Sequence, residues 1–193
     1  VLSSSAVLQA DAAHPVRGTG NPGEHVTVSF ADQTHETVVS TDGSWEVVLE
    51  SLAATHTPTS MRARGSETGE ATLDDLLVGE VWVCLGQSNM AWPLRDAVGG
   101  PDLAEDAAQL TSLRLRHHAS SWPLSAATWS ERQRETISPA TYFEDPPWQR
   151  AAPEAARAFS AVGFFFGHAR SFERAVPVGL ISVAVGGSPT ESW

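Results

Sequence analysis

Five apolar residues, Val81-Trp82-Val83-Cys84-Leu85, run without a break into Gly86-Gln87-Ser88-Asn89-Met90. A short unbroken apolar run reads as a strand buried on both faces, as the strands of a parallel sheet are. Gly86 lets the chain turn sharply where a side chain would obstruct it. Ser88 then falls just past the carboxyl end of the strand, where open α/β sheets bind their ligands. A helix beginning there aims unpaired N–H groups at a substrate oxygen. Ser88 is therefore a candidate nucleophile. The plainer alternative is a serine that only caps a helix, the common use of serine at this position.

The second half of the chain supplies a partner for that strand. Pro153 suits the first turn of a helix. Ala155, Phe159, Val162, Phe166 and Ala169 recur at helical spacing, which predicts one helix over 153–174. Val178 to Val185 follows as a second buried strand. Strand, helical crossover and strand make a parallel pair, which brings Gly186-Gly187 to the same sheet edge as Ser88. Between the two, Leu113 to His117 alternates like a third strand. Residues 89–97 and 102–110 read as helix or loop. The stretch from Trp122 to Arg150 is irregular, with four prolines and three tryptophans. Such tryptophans either stack on sugar rings or, more often, pack into a core.

The first 76 residues have another pattern. His25 to Phe30 alternates with period two, and Ser44 to Leu49 does so in part. Thr37-Val38-Val39 is β-branched, and Asp42-Gly43 signals a hairpin turn. Residues 18–23, Gly-Thr-Gly-Asn-Pro-Gly, form another turn cluster. Short strands at this spacing predict a small antiparallel β-sandwich over 1–76, with an α/β unit over 77–193. No Gly/Ser-rich or Pro-rich linker separates them, so the two are expected to pack directly on each other.

Charge divides the chain at the same place. Of the net charge of −11, residues 1–76 carry −8 (11 acids, 3 arginines) and residues 77–193 carry −3 (12 acids, 9 arginines). An acidic chain is a poor partner for nucleic acid or an anionic membrane. The longest apolar runs, such as 161–167, are far too short to span a bilayer. No signal peptide is visible at the start. The single cysteine, Cys84, excludes an internal disulfide and offers no zinc cluster. It lies inside the apolar strand, where a core thiol is expected rather than a nucleophile.

A serine hydroxyl is a weak nucleophile and needs an adjacent base and donors for the oxyanion. The backbone N–H of Ser88 and one N–H from Gly186 or Gly187 are the available donors. No metal or organic cofactor is called for.

Residues 78–94, Val-Gly-Glu-Val-Trp-Val-Cys-Leu-Gly-Gln-Ser-Asn-Met-Ala-Trp-Pro-Leu, resemble the nucleophile block of the sialate O-acetylesterase family of the SGNH-hydrolase superfamily. A second block agrees: Val176-Pro177-Val178-Gly179-Leu180-Ile181, then Gly186-Gly187-Ser188-Pro189-Thr190-Glu191-Ser192-Trp193. The stretches Val7-Leu8-Gln9 and 21–28 resemble that family's β-domain. The resemblance implies a flavodoxin-like SGNH-hydrolase domain after the β-sandwich. It implies a serine esterase that deacetylates a sugar, either sialic acid or an acetylated polysaccharide such as xylan. Ser88 would be the nucleophile, with Ser88 and Gly187 or Gly186 in the oxyanion hole. Gln87 and Asn89 would fix the turn or touch substrate, and Glu191 and Trp193 would lie at the active-site edge. The compartment is not set by the sequence, although the resemblance favours an extracellular or periplasmic one.

The base is the gap. The family's Asp-x-x-His follows the glycine block, and here only Asp11–His14 and Asp32–His35 match that string, both ahead of the serine. His168 is expected on the crossover helix, and His117-His118, at the end of a strand, are reserve candidates. The expectation is a fragment whose acid–base pair comes from a missing C-terminal segment or a second polypeptide, the chain alone being inactive. The rival is a glycan- or partner-binding protein with an incomplete hydrolase-like domain.

Overall fold

The computed structural model describes residues 2–120 and 126–189. Its strands are β1 (Val7–Gln9), β2 (His14–Thr19), β3 (His25–Phe30), β4 (Gln33–Val38), β5 (Ser44–Leu49), β6 (Thr55–Gly65), β7 (Gly69–Gly86), β8 (Leu113–His118), β9 (Gln149–Arg150) and β10 (Val178–Ala184). Its helices are α1 (Ser88–Ala91), α2 (Gly100–Asp106), α3 (Glu131–Thr136), α4 (Pro139–Tyr142), α5 (Pro153–Ala158) and α6 (Ala161–Arg174). Among the described residues no helix is long and apolar enough to cross a membrane.

The architecture is mixed α/β around a central sheet in the order β4-β3-β6-β7-β10-β8-β9, with β1 also on β7. Strand β7 joins the chain's two parts. Its first half pairs antiparallel with β6, and its second half, Glu80 to Gly86, pairs parallel with β10. The bend between them is at Asp75, whose φ is 60°, beside an irregularity in the β6 register. Extra residues on one strand of a pair bend it in this way.

Strands β2 and β5 form a separate two-stranded sheet. Their Val16, Trp45, Val47 and Leu49 meet Val26, Val28, Phe30 and Met61 of the larger sheet in one apolar cluster. A second cluster joins Leu113 and Leu115 of β8 and Val178 and Leu180 of β10 to Ala156, Phe159 and Phe164. Trp148, from the irregular stretch, packs into the first cluster. Trp122 lies outside the described residues.

Several expectations are corrected. The Asp42-Gly43 turn exists, with Gly43 at φ 83° and the Asp42 carboxylate accepting from Ser44 N at 2.9 Å. It joins no hairpin, because β4 pairs with β3 and β5 with β2. The hairpin is one turn earlier, over Ala31-Asp32, where Phe30 faces Gln33. A turn signal fixes a reversal of direction, and the apolar face of β5 decides which sheet it joins.

The helix over 153–174 is two helices. Phe159 is extended, and the Ser160 hydroxyl caps α6 by accepting from Gly163 N at 3.1 Å. The segment just after Ser88 holds the break open: Leu94 N donates to Phe159 O and Ala161 N to Trp92 O, both at 2.8 Å. The expected apolar stripe is displaced as well. Phe164, Gly163 and Gly167 face the sheet, while Val162 and Phe166 are exposed. Glycines, which carry no hydrophobic signal, mark the close face here. A Cβ on Gly163 would stand 2.9 Å from Cys84 Sγ, and one on Gly167 2.5 Å from Leu180 Cδ1.

The run Val81 to Leu85 is a parallel strand but is not buried on both faces. Cys84 is covered by α6, whereas Trp82, Val83 and Leu85 are 40%, 55% and 50% exposed. In addition, β10 lies between β7 and β8. A flavodoxin-like 2-1-3 order would place β7, the earliest of the three, in the middle.

Candidate active site

The strand order sets the site. Because β10 is central, its carboxyl end opens between those of β7 and β8. The β7 end leads into Gly86, Gln87 and Ser88, the β8 end carries His117, and the β10 end leads into Val185 and Gly186. A cleft of about 520 Å³ forms there, lined by Ser88, Trp92, Pro93, His117, Ser120 and Gly186 among others. Gly86 turns at φ 149°, and Val185 N donates to Gly86 O at 3.0 Å, tying the two strand ends together.

Ser88 is exposed and begins α1. Its hydroxyl donates to Gln87 Oε1 at 3.1 Å, and its N–H donates to the same oxygen at 3.4 Å. Gln87 thus caps the turn and occupies both the hydroxyl and the N–H. Asn89 is exposed on that same turn. Gly186 is close to the serine, since a Cβ there would stand 3.7 Å from Ser88 Oγ. Gly187 takes φ 82°, in the left-handed region that favours glycine, and is not part of the cleft wall. Glu191 and Trp193 lie outside the described residues.

The histidines divide clearly. His14 and His35 belong to the β-rich part, where they bond Gln9 O and Gln33 Oε1, so the two early Asp-x-x-His strings do not reach the cleft. His118 Nδ1 pairs with Glu144 O at 2.8 Å, and His168 stacks edge-on with Phe172. His117 alone of these lines the cleft, with its ring edge-on to Phe159 at 5.9 Å. Burial, and then the neighbouring charge of His118, push its imidazolium below the usual histidine range, against the pull of Glu144. Burial raises the Cys84 thiol, as a core position should.

Sequence reasoning put His117 in reserve only, because a strand-end histidine is unremarkable until the strand order is known. It did not find Phe159, Trp92 and Pro93 as neighbours of the site. Their signal was the proline after Met90-Ala91-Trp92 and the serine that breaks the long helix. Among the described residues no group of histidine, cysteine and carboxylate side chains could hold a metal ion.

No family model matches the chain. It is 27% identical to the sialate O-acetylesterase of Homo sapiens over 202 residues, covering all of this chain and 37% of that protein. It is 27% identical to the sialate O-acetylesterase of Rattus norvegicus over 185 residues, 91% of this chain and 33% of that protein. The crystal structure of a carbohydrate acetylesterase from Xanthomonas citri matches the whole chain with a TM-score of 0.85 at 33% identity, covering 41% of that chain. Over its whole length the chain is similar to sialate O-acetylesterases and to a carbohydrate acetylesterase. It spans roughly two-fifths or less of the length of the relatives and of the solved structure it matches. The resemblance carried by residues 78–94 and 176–193 thus extends over the whole chain as a sialate O-acetylesterase likeness.

Proposed function

We propose that this chain is the nucleophile-bearing part of a carbohydrate O-acetylesterase of SGNH-hydrolase type. A β-sandwich accessory domain over 1–76 precedes the esterase domain, which begins at residue 77. The observation that carries the reading is the placement of Ser88 and Gly186 in one cleft at the carboxyl ends of two paired parallel strands.

In this reading Ser88 Oγ attacks the acetyl carbonyl carbon of an acetylated sugar while a base takes its proton. The Ser88 N–H and a glycine N–H from Gly186 or Gly187 hold the oxyanion. The sugar hydroxyl leaves with the proton, and water then hydrolyses the acyl-serine to acetate. Gln87 Oε1 must release the Ser88 hydroxyl and N–H for this to occur. Asn89, Glu191 and Trp193 are assigned to the substrate side. The substrate is an O-acetylated sialic acid or an acetylated polysaccharide such as xylan. No cofactor enters.

The base comes from an Asp-x-x-His on polypeptide beyond these 193 residues. Two observations support this. The Ser88 hydroxyl bonds to Gln87 and, among the described residues, not to a histidine, and His117 Nδ1 has no carboxylate partner among them. Val83 and Leu85 also leave an apolar strand face in solvent, where a parallel sheet is ordinarily covered.

The test is acetyl release from acetylated xylose and from 9-O-acetyl sialic acid, by the native protein and by the 193-residue chain side by side. The native protein should be active, and Ser88→Ala should lower kcat by on the order of 10³ or more. The 193-residue chain should be slow or silent. Full activity of Ser88→Ala would overturn the nucleophile. Brisk turnover by the short chain, lost in His117→Ala, would overturn the external base. Sugar binding without hydrolysis by the native protein would favour the non-catalytic reading, to which Gln87's hold on Ser88 already lends some support.

A further inference from the structure

The helix-covered face of the parallel sheet is built in cross-strand rows. Val178 aligns with Leu113, and Leu180 aligns with Trp82 and Leu115. The next row, directly beneath the cleft, is different: Cys84, Ser182 and His117 lie side by side. On β10 and β8 a hydroxyl and an imidazole stand where the rows below carry Val178 and Leu180, Leu113 and Leu115. Ser182 is fully buried, and its Oγ has no hydrogen-bond partner among the described residues. His117 Nδ1 is buried and has none either. Neighbouring strands run about 4.8 Å apart, so a rotation of either side chain can bring the serine hydroxyl and the near nitrogen of the imidazole within hydrogen-bond reach. Buried polar atoms are ordinarily paired, and each of these is the natural partner of the other.

We propose that the Ser182 hydroxyl donates a hydrogen bond to Nδ1 of His117 and so fixes the neutral tautomer that carries its proton on Nε2, and that this Nε2–H is the cleft's donor to a ligand oxygen. The ligand oxygen is a carbonyl or hydroxyl of an acetylated sugar. His117 touches the ligand, and Ser182 is a positioning residue that acts through it. Phe159 sets the plane of the ring. A histidine whose Nδ1 accepts from a serine, and not one that donates to a carboxylate, is a hydrogen-bond donor and not a general base. Its suppressed imidazolium form fits that use. The identity of the ligand rests on the esterase reading, whereas the tautomer does not.

The test is ¹⁵N NMR of the chain at pH 7, labelled in histidine and in the backbone. His117 should show an unprotonated, hydrogen-bonded Nδ1 and a protonated Nε2. Ser182→Ala should give a mixture of tautomers, and Ser182→Thr, which keeps the hydroxyl, should restore one. Unchanged amide signals elsewhere in Ser182→Ala establish that the fold is intact. Titration with an O-acetylated methyl xyloside should move the His117 Nε2 signal together with the Ser88 amide. Affinity should fall about tenfold in His117→Phe, the loss expected for one hydrogen bond.

A proton on Nδ1, a charged ring at pH 7, or no effect of Ser182→Ala would overturn the pairing. A ligand that moves the Ser88 amide but leaves His117 untouched would overturn the donor role and leave the esterase reading standing. A ligand that moves neither would overturn the donor role and the sugar assignment together, with the tautomer still decided by the unliganded spectrum.

Discussion

Asp75, at the bend of β7, accepts a hydrogen bond from the guanidinium of Arg114 on β8 at 3.1 Å. Arg114 is only 1% exposed. Arg150 Nε and Ser5 Oγ, at 2.8 and 2.9 Å, complete the Asp75 carboxylate. One carboxylate on the connecting strand therefore holds an N-terminal serine and two arginines of the second half. Removing one partner of a buried pair leaves the other charge unpaired, which costs about 3 kcal/mol or more. Asp75→Ala should lose about that much stability, read from urea unfolding, and should loosen both halves together. Arg150→Ala should cost far less, since Arg150 is largely exposed and Arg114 still balances the carboxylate.

Glu24 is the acid-sensitive point of the β-rich part. It is 1% exposed and receives Thr68 N at 2.6 Å, Glu67 N at 2.7 Å, Asn21 N at 3.0 Å and the Thr68 hydroxyl at 2.9 Å. The Thr68 N–H, against the cost of burial and with the other donors, lowers its pKa from 4.5 to about 2. A depressed carboxyl pKa contributes stability that is full above the unfolded value and is lost as pH falls through the folded one. Unfolding midpoints measured from pH 4.5 down to about 2 should fall steadily, and Glu24→Gln should flatten that fall. At neutral pH the variant should be less stable than the parent, and the gap should close in acid. A gap that is unchanged in acid would mean the carboxylate's charge plays no part.

The sequence showed what local chemistry decides and hid what neighbours decide. The alternation of 25–30 and 44–49, the strand 113–117 and the strand from 178 all stand where expected, because each has its own apolar pattern. Strand β6 was hidden, since Pro58 and its many threonines resemble a loop, and pairing with β3 and β7 holds it in the sheet. The split at Phe159-Ser160 depends on the hydrogen bond Leu94 N donates and the one Trp92 O accepts, some seventy residues away in sequence. At the site, Ser88 and Gly186 follow from two strands running in parallel. His117 does not, because its place beside them depends on β10 entering between β7 and β8.

Gly167 and Leu180 should be energetically coupled. The nearest three atoms to a Cβ on Gly167 all belong to Leu180. Gly167→Ala should push α6 from the sheet and cost about 1–3 kcal/mol, despite alanine's better helix propensity. Leu180→Ala alone should cost about 2–5 kcal/mol through the cavity it leaves. In the double variant the new methyl enters that space, so the combined loss should be smaller than the sum. Additive losses in thermal or urea unfolding would show that α6 relaxes away without meeting Leu180.

Cys84 should be chemically silent in the folded chain. Its side chain is buried beneath Gly163, next to Ser182 in the row below the cleft, and burial raises its thiol pKa above the ordinary value. The thiolate is the reactive form, so a raised pKa and a covered sulfur both slow alkylation. Iodoacetamide at pH 8 should leave the native chain unmodified over the time that labels it fully in urea, as read by intact mass. Rapid labelling of the native chain would place the thiol at the cleft and revive a cysteine nucleophile. Slow labelling at the rate of global unfolding removes that alternative.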